Sequence, residues 1–239
     1  MPHGRLYLVP TWLSEASPPA TVLPAPVIER IHALDAFVVE NAKSARRFLA
    51  ACGHPRPMRE IAMSELDEHT PAGDVPAMLA PALAGRDMGL MSEAGAPAIA
   101  DPGALLVEAA HGEGFRVVPL VGPSSITLAL MASGLEGQRF AFCGYLPRDA
   151  GERAKRIREL EARSRKEAET EICIETPYRN DALFSALVET CSSSTRLCVA
   201  ADLTLESESV TTRSIADWRR APPAIGKRPA VFLLLAHHR

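Results

Sequence analysis

Three short stretches of this chain hold residues able to do chemistry, and each follows an apolar run. The first reads M-G-L-M-S-E-A-G-A-P-A-I-A-D-P-G from Met88 to Gly103. Met88, Leu90 and Met91 form a buried-strand pattern, which breaks at Ser92-Glu93-Ala94-Gly95. Gly95 has no Cβ and lets a ligand reach the backbone, while Pro97 and Pro102 fix φ and stiffen the loop. An ordinary strand-to-helix connection is the competing reading. The second stretch, Gly122-Pro123-Ser124-Ser125, offers amides and hydroxyls that either cap the next helix or hold a polar ligand. The third, Glu175-Thr176-Pro177-Tyr178-Arg179-Asn180, crowds an acid, an aromatic ring and a guanidinium at a strand end. Packing needs none of these there, which points to function. The shared chemistry is a backbone-lined crevice for a polar ligand.

Other chemistries are excluded by what the sequence lacks. It has no G-x-S-x-G elbow, no Walker loop and no G-x-G-x-x-G after the first strand. His69 stands beside Asp67 and Glu68, where a metal site competes with a plain surface loop. No metal is expected. The five cysteines, Cys52, Cys143, Cys173, Cys191 and Cys198, contain no C-x-x-C pair. Cys143, Cys173 and Cys198 lie in apolar runs, where a reduced buried thiol is expected. A net charge of −3 and a pI near 6.2 give no global basic footprint for nucleic acid. A local patch stays open. No apolar run approaches the ~20 residues of a membrane span, and Pro10 interrupts the short apolar start, so a cytoplasmic protein is expected.

The elements that must position these stretches alternate between strands and helices. Arg5–Pro10 reads as a first strand, Thr11–Pro26 as a loop, Val27–Ala33 as a helix and Ala36–Val39 as a second strand ending at Glu40-Asn41. Ser44 is the expected N-cap of a helix bearing Ala45, Phe48 and Leu49 on one face. Arg59–Met63 reads as a strand and Asp74–Leu83 as a helix. The first loop stretch leads into a helix from Ala104, a strand at Phe115–Leu120, and a helix over Ile126–Ser133. This β-α succession predicts a mostly parallel sheet with ligands at its carboxyl edge. After about Gln138 the texture changes. A strand at Phe140–Pro147, a charged helix over Gly151–Glu169, further strands at Glu171–Glu175, Arg196–Ala201 and Ala230–Ala236, and a helix at Asp181–Cys191 form a second unit. Along the charged helix, Arg153, Lys155 and Arg156 either face solvent or meet phosphate. His237 and His238 read as solvated. The expected domains are residues 1–136 and 137–239.

Taken together, the loops resemble the tetrapyrrole methylase family of S-adenosylmethionine-dependent methyltransferases. Within it they look most like the ribosomal RNA small-subunit methyltransferase I group, in its shorter variants. The matching segments are L-Y-L-V-P-T (Leu6–Thr11), Glu40, S-E-A-G-A-P-A-I-A-D-P-G (Ser92–Gly103) and V-V-P-L-V-G-P-S-S (Val117–Ser125). They continue through A-S-G-L (Ala132–Leu135), F-A-F-C-G-Y-L-P (Phe140–Pro147) and E-T-P-Y-R (Glu175–Arg179). Pro10-Thr11 is followed here by Trp12-Leu13-Ser14-Glu15, where the RNA enzymes typically carry P-T-P-x-G-N-L. Their E-D-T-R reads Glu40-Asn41-Ala42-Lys43, and their S-D-A-G-T-P reads Ser92–Pro97 with Glu93 and Ala96.

The resemblance implies two α/β domains with S-adenosylmethionine in the cleft between them. It places the cofactor against Pro10, Ser92, Gly95, Ile99, Ser124 and Ser125, and against Thr176, Ala201 and Pro229 of the second unit. Glu40 and Glu93 become candidates for the base that a ribose hydroxyl needs; a hydrogen bond to loop amides is the alternative for each. Arg46, Tyr178 and Arg179 become candidates for substrate binding, the arginines toward phosphate. The implied reaction is 2′-O-methylation of a cytidine of 16S ribosomal RNA, by a homodimer acting on the RNA or the small subunit. Methylation of a small tetrapyrrole-like metabolite and a degenerate cofactor-binding module are the other two readings.

Overall fold

Two strands in the first half of the chain, Ala36–Val39 and Met88–Met91, are buried along their whole length. A computed structural model describes residues 3–236 of the 239; His237 and His238 lie outside the described residues. The chain divides into two units, the first ending at Ser124 and the second starting at Ser125. By sequence texture the boundary falls after residue 136, but by packing the helix before it joins the second unit.

In the first unit β1 (Arg5–Leu8), α1 (Pro19–Val22), α2 (Ala25–His32), β2 (Ala36–Val39) and α3 (Ala42–Ala51) come first. They are followed by β3 (Ala62–Glu65), α4 (Ala80–Leu83), β4 (Met88–Met91), α5 (Gly103–Gly112) and β5 (Arg116–Pro119). All five strands are parallel, in the order β3-β2-β4-β1-β5. Every residue of β2 and β4 is buried, as a parallel sheet covered on both faces requires. Alternate side chains feed two cores: Tyr7, Phe37 and Met91 pack with Phe48 and Leu49 of α3, whereas Leu6, Val38, Met88 and Leu90 pack with Leu106 of α5. Gly89 permits this pairing, since a Cβ there would sit 2.5 Å from Cδ1 of Phe37. The connection after β1 leads to one side of the sheet and that after β4 to the other. Their carboxyl ends therefore form a topological switch point, where ligands of such sheets bind.

The second unit holds α6 (Ser125–Ser133), β6 (Phe140–Tyr145), α7 (Ala150–Glu167), β7 (Thr170–Ile174) and α8 (Asn180–Thr190). After these come β8 (Arg196–Ala201), β9 (Ser209–Ser214), α9 (Ile215–Arg220) and β10 (Ala230–Leu235). Its sheet is mixed, ordered β6-β7-β10-β8-β9 with only β6 and β7 parallel. The fully buried β10 runs through its centre. Leu160, Leu183, Leu187, Trp218 and Phe232 fill one core.

Several local expectations need correction. Asn41, not Ser44, caps α3: its Oδ1 accepts from the amides of Lys43 (2.9 Å) and Ser44 (3.1 Å), while the Ser44 hydroxyl donates to the Asn41 carbonyl. The stretch expected as a strand at Arg59 opens as a 3-10 turn, Met58–Glu60, and β3 starts at Ala62. The helix expected over Asp74–Leu83 is a 3-10 run, Ala72–Leu79, with Pro76 inside it, followed by α4. Proline removes an amide donor and prevents a regular α-helix there. The Thr11–Pro26 loop contains α1, and α9 lies where no helix was read.

Candidate functional site

At the switch point the loops after β1 and β4 are tied together through their backbones. The Thr11 amide donates to the Gly95 carbonyl (2.9 Å), and the Gly95 amide donates to the Trp12 carbonyl (3.3 Å). The Thr11 hydroxyl also reaches the Ser92 carbonyl at 3.5 Å. Gly95 has φ +75°, a conformation that costs a side chain about 1–2 kcal/mol. A Cβ there would lie 3.1 Å from Cδ2 of Leu13 and 3.4 Å from the Pro123 carbonyl oxygen. Three loops thus converge on a glycine. Pro10 is buried beside them, so close to Gly122 that a Cβ on the latter would stand 2.3 Å from the proline ring. Ser124 follows Pro123 in the chain, and Ser125 opens α6. The Ser92 hydroxyl turns to the Ala94 carbonyl at 3.4 Å.

Beyond Gly95 the loop is held by Asp101. Its Oδ1 accepts from the amides of Gly103 (2.7 Å) and Ala98 (3.1 Å). Ala98 and Ala100 both adopt positive φ, +64° and +65°. This strained arch presents Ile99, half exposed, at its tip. Burial raises the Asp101 carboxyl above the usual range against the pull of the Gly103, Ala98 and Ile99 amides. Its Oδ2 is buried without a hydrogen-bond partner.

The two candidate bases stand next to each other. The Glu93 amide donates to Oε2 of Glu40 (3.1 Å), and the Ser44 hydroxyl donates to Oε1 of Glu93 (3.3 Å). Burial raises the Glu40 carboxyl; the Glu93 amide opposes the shift, and the charges of Glu93, Asp101 and Glu68 add to it. A carboxylate raised in this way is a better proton acceptor. Arg46 is exposed on α3. The switch point combines small residues, backbone groups and one orphaned polar atom, Asp101 Oδ2, a setting suited to a polar ligand.

In the second unit, β7 ends with Ile174 opposite Val231, and β8 ends with Ala201 opposite Ala230. Thr176, Ala201 and Pro229 therefore gather at one sheet edge, where the Asp202 amide donates to the Pro229 carbonyl at 3.0 Å. Glu175 is buried and pairs with Arg179 at 2.9 Å. Its other oxygen accepts from the Thr176 amide at 2.8 Å. Arg179 is thus drawn inward, while Tyr178 is exposed.

Sequence reasoning missed four residues of this framework. Asn41 and Asp101 act through short-range bonds to the backbone. Asn180, fully buried, donates to the carbonyls of Gly226 and Arg228. Asp202 takes up the Arg228 guanidinium at 2.6 Å. D-P-G and the Asn after Glu40 were the available signals.

A family model described as tetrapyrrole (corrin/porphyrin) methylases matches residues 23–218. A ribosomal RNA small subunit methyltransferase I of Mesorhizobium japonicum is 33% identical over 193 residues, covering 80% of this chain and 63% of that protein. The protein of the same name from Xylella fastidiosa is 35% identical, covering 74% and 62%. That from Neisseria meningitidis serogroup B is 29% identical, covering 94% and 72%. The matched region spans a little under two thirds of the first two relatives. Among solved structures, the methyltransferase CobJ aligns with a TM-score of 0.63 at 16% identity, covering 97% of this chain and 94% of that one. A uroporphyrin-III-C-methyltransferase from Thermus thermophilus aligns at 0.56 and 17%, covering 98% and 92%. At such identities the likeness is one of fold.

Proposed function

The chain belongs to the tetrapyrrole methylase family, and from that premise we propose that it is an S-adenosylmethionine-dependent methyltransferase of small-subunit ribosomal RNA. The proposed reaction is transfer of a methyl group to the 2′-oxygen of a cytidine ribose in 16S RNA. The observation that carries the reading is the pair of loops at the switch point, which backbone hydrogen bonds of Thr11 and Trp12 to Gly95 lock together. The relatives named above share this chain's family and support the RNA substrate.

Bound S-adenosylmethionine supplies an activated methyl group on a sulfonium, so transfer depends mainly on alignment. In the proposal the cofactor contacts of the first unit are Pro10, Ser92, Gly95, Ile99 and Ser124, and the candidates that the second unit carries are Ser125, Thr176, Ala201 and Pro229. Glu40 would take the 2′-hydroxyl proton, leaving the ribose oxygen nucleophilic. Glu93 holds Glu40 in place through its amide and adds a charge that keeps it basic. Arg46, Tyr178 and Arg179 meet the RNA, Arg179 after exchanging Glu175 for a phosphate. A homodimer and a cytoplasmic location complete the proposal; sedimentation and fractionation test them. Among the described residues, no helix is long and apolar enough to cross a membrane.

Calorimetric titration with S-adenosylmethionine tests the cofactor directly. Saturable binding to one site per chain is expected, and no heat at millimolar cofactor sinks the reading.

A further inference from the structure

We infer that the amino-terminal edge of the first sheet, the end opposite the crevice, is a second contact surface that takes the phosphate backbone of RNA. The inference rests on the RNA reading above and extends it to a surface remote from the reacting groups.

The strands enter the sheet through a row of arginines. Arg59 precedes β3, Arg86 precedes β4, and Arg5 and Arg116 start β1 and β5. Since β4, β1 and β5 are neighbours, Arg86, Arg5 and Arg116 lie along about 10 Å of sheet edge. Arg56 and Arg30 join them from the flanking turn and helix. Six arginines stand near this end with Glu29, Asp35, Glu60, Asp87 and Glu113, which leaves a small positive excess in a chain whose net charge is −3.

One carboxylate is shared, and Glu60 pairs with Arg59 at 3.7 Å. Asp35 serves both Arg56 (3.1 Å) and Arg86 (3.7 Å), and Asp87 serves Arg5 at 3.5 Å. Arg116 is exposed and has no ion pair among the described residues. Compensation of a helix carboxyl end explains Arg30, in the last turn of α2. It does not explain Arg5, Arg86 or Arg116, which sit at strand entrances.

Arg5 and Arg116 also line a groove, with Arg86 next to its Gly85 and Asp87 walls. His3, Gly4, Arg5, Gly85, Asp87 and Arg116 line this open surface groove of about 600 Å³. Its floor is fixed: the Gly4 amide donates to the Ala82 carbonyl at 2.9 Å, and a Cβ on Gly4 would lie 1.9 Å from the Arg86 carbonyl oxygen. Guanidinium forks on a rigid floor suit phosphate oxygens, and such contacts hold register without reading sequence.

The test is binding of wild type and an Arg86→Ala/Arg116→Ala variant to a labelled fragment of 16S RNA over a range of salt concentrations. Methyl transfer to small subunits and S-adenosylmethionine affinity are measured in parallel. The variant is expected to lower the slope of log affinity against log salt by about 2, one for each lost phosphate contact. KM for subunits should rise with kcat and cofactor affinity unchanged, and Arg86→Lys/Arg116→Lys should keep most of the slope. An unchanged slope with unchanged KM overturns the surface alone. Salt-dependent RNA binding by wild type without methyl transfer counts instead against the RNA-methylation reading and leaves the surface standing.

Discussion

Two residues bear most of the proposed chemistry, and each has a distinct test. Burial raises the Glu40 carboxyl in the folded state. A raised pKa stabilises the fold below the unfolded carboxylate pKa and forfeits that stability as pH rises through the folded value. At neutral pH the charged Glu40 therefore costs stability, so Glu40→Gln should raise the melting temperature while lowering methyl transfer by about 10²-fold or more. An unchanged transfer rate would remove Glu40 as the base. Gly95→Val places a branched side chain at φ +75° against Leu13. It should cost about 1–2 kcal/mol and abolish cofactor binding in calorimetry, and unchanged affinity would move the cofactor elsewhere. The Ser92–Gly103 loop was legible because glycine, proline and small residues announce a backbone-lined turn. Asp101 was not, because its work depends on where the amides of Ala98 and Gly103 point.

Elements were legible where side-chain period and burial agreed. β2 and β4 read directly as apolar runs, and the face of α3 carrying Ala45, Phe48 and Leu49 is the buried one. The reading failed where a single residue overrode the pattern, as Pro76 does in the run before α4. It also placed the α3 cap on Ser44, although Asn41 stands in extended conformation with its side chain on two amides. Asn41→Ala should destabilise the protein by about 1 kcal/mol in urea unfolding. Gly89→Ala should cost about 1–3 kcal/mol, because the added methyl meets the Phe37 ring in a filled core. A neutral result for either would show that the local framework relaxes more freely than its contacts indicate.

Over the whole molecule, the change in texture near residue 138 showed two α/β units but not which one takes α6. That depends on packing, which follows from contacts far apart in the chain. The mixed second sheet was likewise hidden, since strand direction leaves no mark in a short apolar run. The cysteines are a global probe of this packing. Burial pushes the thiol of Cys52 up to about 12, that of Cys191 to about 12 and that of Cys143 to about 11, and raises Cys173 and Cys198 as well. All five are free and should stay protonated and slow toward a thiol reagent at neutral pH, then react together in denaturant. The most direct test of the account is transfer of labelled methyl from S-adenosylmethionine to small ribosomal subunits lacking this modification, followed by nuclease digestion. The account predicts label in a 2′-O-methylated cytidine of 16S RNA. Saturable cofactor binding with no label in the RNA would contradict it.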